Sequence, residues 1–171
     1  MKALWTVAFA GILTAGAVDA QTPDLVFEPR GSTEVLWDSY GVPHVFADDA
    51  RSLLYAFGWA QMHSHGDLLL RLYGQARGRA AEYWGERFLD SDRWMVLNGV
   101  PQRAEEWYGA TRPTYRAMLD AFVAGMNAYA MQHRDALDDR FEVVLPIVPT
   151  DVLAHIQRVL HFTFIARSHT H

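Results

Sequence analysis

Histidines and carboxylates are the residues here whose type and spacing invite a chemical reading. The 171-residue chain holds eight His, twenty Asp and Glu, and no Cys. The lack of Cys removes disulfides, thiolate nucleophiles and Cys-based zinc sites together. His63 and His65 stand two apart, as do His169 and His171, while His155 and His161 share one late stretch. Helical zinc ligands sit at i and i+4, whereas an i,i+2 pair points to two sides of a helix. None of these pairs has ligand spacing, so they read as surface or packed histidines and no metal ligand is assigned. Asp90 with Asp92, and Glu105 with Glu106, are formal carboxylate pairs for acid–base work. The first pair stands where a helix must be capped, and the second reads as a solvated face. "YGQARGRAAEYWG" has glycines, but not after a strand at the spacing of a phosphate loop, and no Gly-x-Ser-x-Gly elbow is present. Residue chemistry alone assigns no catalytic residue in this chain.

The elements that would position any site are easier to read. Half of the residues are hydrophobic and 13% are aromatic, enough to build a core. A net charge of −5 without a Lys/Arg-rich run gives no case for nucleic acid. Residues 1–20 read as a signal peptide: Lys2, an apolar run, then Val18 and Ala20 in a small-x-small cleavage pattern. The run is short for a membrane-spanning helix, which needs about 20 apolar residues, though an N-terminal anchor is the rival reading. Secretion or export to the periplasm is the expectation, without stable membrane insertion. Residues 21–33 form an extended lead-in, and residues 34–171 form the body.

Within that body, Glu34–Trp37 and Val42–Phe46 flank the turn signal Asp38-Ser39-Tyr40-Gly41, which predicts a β-hairpin. Asp48 or Asp49 then caps a helix carrying Leu53, Leu54, Phe57 and Ala60, with Gly58 as a weak point. A second helix is expected over Asp67–Tyr73, breaking at Gly74 or Gly78, with helical composition resuming over Arg79–Trp84. Asp90-Ser91-Asp92 starts another, ending near Asn98-Gly99, and Val100–Ala110 forms a short one. Thr111 or Thr114 with Pro113 opens a longer helix whose stripe is Tyr115, Met118, Leu119, Phe122, Met126 and Tyr129. Phe141–Val148 is an apolar piece broken by Pro146. Pro149-Thr150-Asp151 caps the last helix, where apolar residues from Val152 to Phe164 spread around the helix and predict deep burial. That burial needs more protein than this chain supplies. The fold class is mainly α with an N-terminal β-hairpin.

Five ordered blocks give this pattern a family likeness. "DSYGVPHVFADD", "LLYAFGWAQMHSHGDLLLRLYGQARGRAAEYWGE", "LDSDRWMVLNGVPQRAEE", "AFVAGMNAYA" and "PIVPTDVLAHIQRVL" resemble the front end of the penicillin acylase family, including its acyl-homoserine lactone acylase-like members. The likeness covers nearly everything after Gly31, with His63-Ser64-His65-Gly66 interrupting the usual Ala-x-Asp run.

The resemblance implies an α chain of an αββα N-terminal nucleophile hydrolase, made as a precursor that cleaves itself. A β chain would be the partner, and its new N-terminal Ser the nucleophile, with its own amine as base. The substrate would be a small-molecule acyl amide: a β-lactam side chain, an acyl-homoserine lactone or a lipopeptide acyl group. Late Ser168 stands in "ARSHTH", which lacks the family's Gly-Ser-Asn junction, so this chain alone is expected to be inactive. Matched without gaps, Leu160 and Phe164 fall at acyl-pocket positions, with plain core packing as the alternative. Calcium is implied only for the full enzyme, because no Asp or Glu follows Asp151 here. The rival readings are an exported helical binding module without catalysis and a histidine-based metal-handling protein.

Overall fold

The structure, a computed structural model, describes residues 32–165. The signal segment, nearly all of the lead-in, Ser168, His169 and His171 lie outside the described residues. Strands β1 (Thr33–Trp37) and β2 (Pro43–Ala47) form an antiparallel pair in register from Thr33 opposite Ala47 to Trp37 opposite Pro43. Asp38 makes the turn: its Oδ1 accepts from the N–H groups of Tyr40 and Val42 at 2.9 Å each, and Gly41 takes the positive φ of 77°. Pro43, which has no N–H, stands at the strand's first position.

Helix α1 (Ala50–Ala76) follows, capped by Asp49, whose Oδ1 accepts from Arg51 and Ser52 N–H. It continues through both positions where the sequence reading expected weakness or a break. Gly58 is a notch: a methyl there would sit 2.0 Å from the Phe122 carbonyl oxygen. The expected gap before Asp67 is a kink at His65 (φ −143°, ψ 26°), not a separation into two helices. Beside it a Leu137 methyl fills the space that a Cβ at Gly66 would take. The helix ends past Gly74, and Gly78 carries the positive φ of 67° that turns the chain.

Five more helices follow: α2 (Ala80–Trp84), α3 (Leu89–Leu97), α4 (Val100–Ala110), α5 (Pro113–Gln132) and α6 (Pro149–Leu160). Short 3₁₀ turns lie at Glu86–Phe88, Arg134–Ala136 and Glu142–Val144, and a π turn at His161–Ile165 follows α6. Two capping expectations are corrected. Asp92 does not cap its own helix: it is buried and accepts from Ala80 and Ala81 N–H, closing the start of α2. Neither Thr111 nor Thr114 caps α5, whose N-cap is Arg112 with Pro113 as first residue. Thr111 instead ends α4, donating its hydroxyl to the Trp107 carbonyl.

The main core lies between α1 and α5, with Met62, Leu70, Tyr73, Val123, Met126 and Tyr129 at its centre. A second cluster, Ala76, Met95, Val100, Ala104 and Ala154, joins α3, α4 and α6. Aromatic rings pin the hairpin to this body. Trp37 lies 4.7 Å from His63 and 6.2 Å from Trp59, and Trp59 meets Tyr129 edge-on at 5.1 Å.

Candidate functional site

Helix α6 carries both residues singled out as pocket lining, and its setting is unusual. The sequence reading expected an apolar helix buried all round. In the structure the polar side faces in: Asp151 and Gln157 are buried along with Ala154, and His155, Arg158 and His161 are partly covered. The apolar side faces out: Ile156, Val159 and Leu160 are exposed at i, i+3 and i+4, and Phe164 follows. Val152 and Leu153 also pack inward, against the two core clusters, so the inner side of the helix is mixed while its outer side is apolar.

A polar clamp holds it that way. Arg77, just past the end of α1, donates from Nε and Nη2 to the two Asp151 oxygens at 2.7 Å each, and from Nη2 to the Pro146 carbonyl at 3.1 Å. This is the paired geometry that suits a guanidinium and a carboxylate. Asp151 Oδ2 also accepts from Val148 N–H, closing the first turn of α6. Burial works against the Arg77 charge, but its hydrogen bonds to Asp151 and Tyr83 outweigh that and raise its pKa above the ordinary guanidinium value. Asn127 of α5 fixes the approach to the helix, donating to the Ile147 carbonyl and accepting from Ile147 N–H, both at 2.8 Å.

Further along, His155 packs edge-on to Tyr73 at 5.7 Å. Burial, and then the Arg158 charge, lower its pKa below the usual imidazole value. The neutral form is the one that suits a packed ring beside a cation.

Leu160 closes α6 and is 44% exposed; Phe164 lies in the π turn and is 67% exposed. Neither is packed into the core formed by the described residues. The sequence reading missed Ile156 and Val159, which share the outward stripe with them. Their spacing relative to Leu160 was the available signal, masked because Leu153 and Phe162 made the helix look apolar all round. Phe162 instead turns toward Trp94, at 6.0 Å, and under the Arg158 guanidinium at 5.1 Å. Among the described residues no group of three or more His, Asp or Glu is gathered as metal ligands would be. His63 is exposed with its ring against those of Trp37, Trp59 and Tyr129, Asp90 is exposed, and Glu105 and Glu106 face solvent. No helix of the described residues is long and apolar enough to cross a membrane.

Comparison with known proteins places this architecture. A family model described as penicillin amidase matches residues 32–171. Acyl-homoserine lactone acylase QuiP of Pseudomonas fluorescens is 27% identical over 135 residues, 77% of this chain and 16% of that protein. Acyl-homoserine lactone acylase PvdQ of Pseudomonas syringae is 27% identical over 170 residues, 93% of this chain and 22% of that protein. Penicillin G acylase of Escherichia coli is 25% identical over 124 residues, 72% of this chain and 14% of that protein. This chain thus spans only between 14% and 22% of the length of these curated relatives. Among solved structures, a thermostable penicillin G acylase from Alcaligenes faecalis superposes with a TM-score of 0.68 at 26% identity, over 78% of this chain and 74% of that one. The match of the family model to residues 32–171, with these relatives and this structure beside it, shows that the chain belongs to the penicillin amidase family, whose members are amide-hydrolysing acylases.

Proposed function

We propose that this chain is the N-terminal, α-chain region of a secreted amidohydrolase that cleaves an acyl amide to a carboxylic acid and an amine. Catalysis would rest on an N-terminal Ser of a β chain produced from the same precursor. A free α-amino group titrates near neutrality and can take the Ser proton. The role of this region is to position and to line. The observation that carries the reading is the outward apolar stripe Ile156, Val159, Leu160 and Phe164, held by a polar clamp on the opposite side. Such a stripe is suited to be covered by further protein and by an acyl group together. Leu160 and Phe164 are the residues assigned to the acyl pocket, and residues 1–20 the signal peptide assigned to export.

Pocket variants of the full-length enzyme test the assignment. Leu160→Ala and Phe164→Ala each remove apolar contact worth about 2 kcal/mol, or roughly thirtyfold, from a bulky acyl group. That loss should appear in kcat/KM for amides of long-chain or aromatic acids, while an acetyl amide is barely affected. An unchanged ratio between the two substrate types would remove both residues from the pocket. Turnover by the purified 171-residue chain would contradict the placement of the nucleophile on a second chain.

A further inference from the structure

On the side of α1 near its C-terminal end lies a cleft of about 550 Å³ that the acylase reading does not use. Its size is that of a small-molecule site. It is lined by Arg71 and Gln75, one turn apart on α1, and by Arg87 of the Glu86–Phe88 turn; Trp84, Phe88 and Phe141 supply aromatic surface. Trp84 meets Phe88 and Phe141 edge-on, at 5.7 and 5.5 Å, so the rings brace one another.

The charges of this cleft are out of balance. Arg140, also at its edge, is paired with Asp138, and Asp67 accepts the Asp138 N–H and acts with its charge on the same Arg140. Arg71, in contrast, makes no hydrogen bond or ion pair among the described residues, and Arg87 meets only the Phe88 ring, at 4.9 Å. A further cation stands next to Gln75. Arg158 of α6 donates from Nη2 to Gln75 Oε1 at 2.5 Å, and its Nε is buried without a partner. Burial, and next the Arg71 charge, lower the Arg158 pKa below the ordinary value. A partly buried guanidinium held by a neutral amide and the face of the Phe162 ring, with a second cation close by, still lacks an anionic partner, and an anion would complete the set. Gln75 has turned its oxygen to Arg158, which leaves its amide N–H groups for an acceptor on the cleft side.

We propose that this cleft binds a free carboxylate carried on a flat apolar group, that is, an aromatic monocarboxylic acid. The carboxylate would accept from the Arg71 guanidinium and the Gln75 amide, with Arg87 adding charge, while the ring lies against Trp84 and Phe141. Recognition rests on these residues and is independent of the α6 stripe.

Isothermal titration of the assembled full-length enzyme with benzoate, and with benzamide as its uncharged counterpart, tests the site. Benzoate should bind, and benzamide should bind at least tenfold more weakly. Losing one charged hydrogen bond gives a weakening of about tenfold or more, so Arg71→Gln should show it, with Arg71→Lys recovering part, while Arg87→Gln, which removes charge alone, should weaken binding by less. The thermal midpoint of these variants should stay close to that of the parent enzyme. Benzoate affinity unchanged in Arg71→Gln, or equal affinity for benzamide, would overturn the assignment. So would a parent enzyme that takes up no benzoate but loses subunit association on Arg71→Gln, because the cations would then serve a carboxylate of the enzyme itself.

Discussion

Replacing Asp151 by Ala should release α6 while leaving the rest of the helical body in place. The substitution removes two 2.7 Å charged hydrogen bonds and the acceptor of Val148 N–H. It also strands Arg77, whose side chain is 19% exposed, against the Pro146 carbonyl and the Tyr83 hydroxyl alone. Breaking a buried pair from one side costs about 3–5 kcal/mol. A cleft of about 450 Å³ beside Arg77 and Asp151 lets water reach the stranded cation, which argues for the lower end, about 3 kcal/mol. That figure corresponds to a loss of amide protection on the order of a hundredfold. The assay is hydrogen exchange, followed by mass spectrometry, on α6 peptides of the full-length enzyme. Arg77→Met should expose the same amides. The double variant Arg77→Met/Asp151→Leu should lose much less than the two singles combined, since an apolar pair leaves no uncompensated charge. Single variants that keep α6 protection within about threefold, or a double variant that costs the full sum, would refute the clamp.

Gly58→Ala should lower the thermal midpoint, although Ala is the better helix former by about 1 kcal/mol. The added methyl would lie 2.0 Å from the Phe122 carbonyl oxygen, so one helix must move and overpacking outweighs propensity; a raised midpoint would refute the close contact. The Asp138 carboxyl, held down to about 2 first by the Arg140 side chain and then by the Arg140 N–H, should titrate there by carbon-detected NMR. Its folded pKa lies below the unfolded value of about 3.9, so its contribution is complete above roughly pH 4 and is lost as pH falls through about 2. A titration midpoint near 4 would show that the pair does not form.

The hairpin, the Asp49 cap and the Pro113 and Pro149 helix starts were legible in the sequence because each rests on local backbone chemistry. Asp and Gly in a turn, or Pro at the first helical position, act within a few residues of themselves. What was not legible depends on distant parts of the chain. Gly58 looked weak because propensity ignores Phe122, more than sixty positions away, whose backbone occupies the space a side chain would take. Asp92 looked like a cap for its own helix, yet the amides it serves belong to Ala80 and Ala81 on the preceding one. The same limit governed α6. Composition showed many apolar residues, but which side faced in was decided by Arg77, whose partner Asp151 is far along the chain. The site residues Leu160 and Phe164 came from family likeness, and periodicity alone would have added Ile156 and Val159.

The notches at Gly58 and Gly125 have a consequence for distance. A methyl at Gly125 would lie 1.9 Å from the Tyr55 carbonyl oxygen, so each of the two helices meets the other's backbone through a missing side chain. Sliding α5 by one turn, about 5.4 Å, would bring Leu54 or Met62 to where Gly58 now receives Phe122. The two helices therefore have a single axial setting. Two residues beyond Gly125, Asn127 grips Ile147 and so sets where α6 begins, while Trp59, next to Gly58, supports the hairpin through Trp37. Helix α5 thus serves as a ruler: the spacing between the hairpin and the last helix is measured out from two glycines.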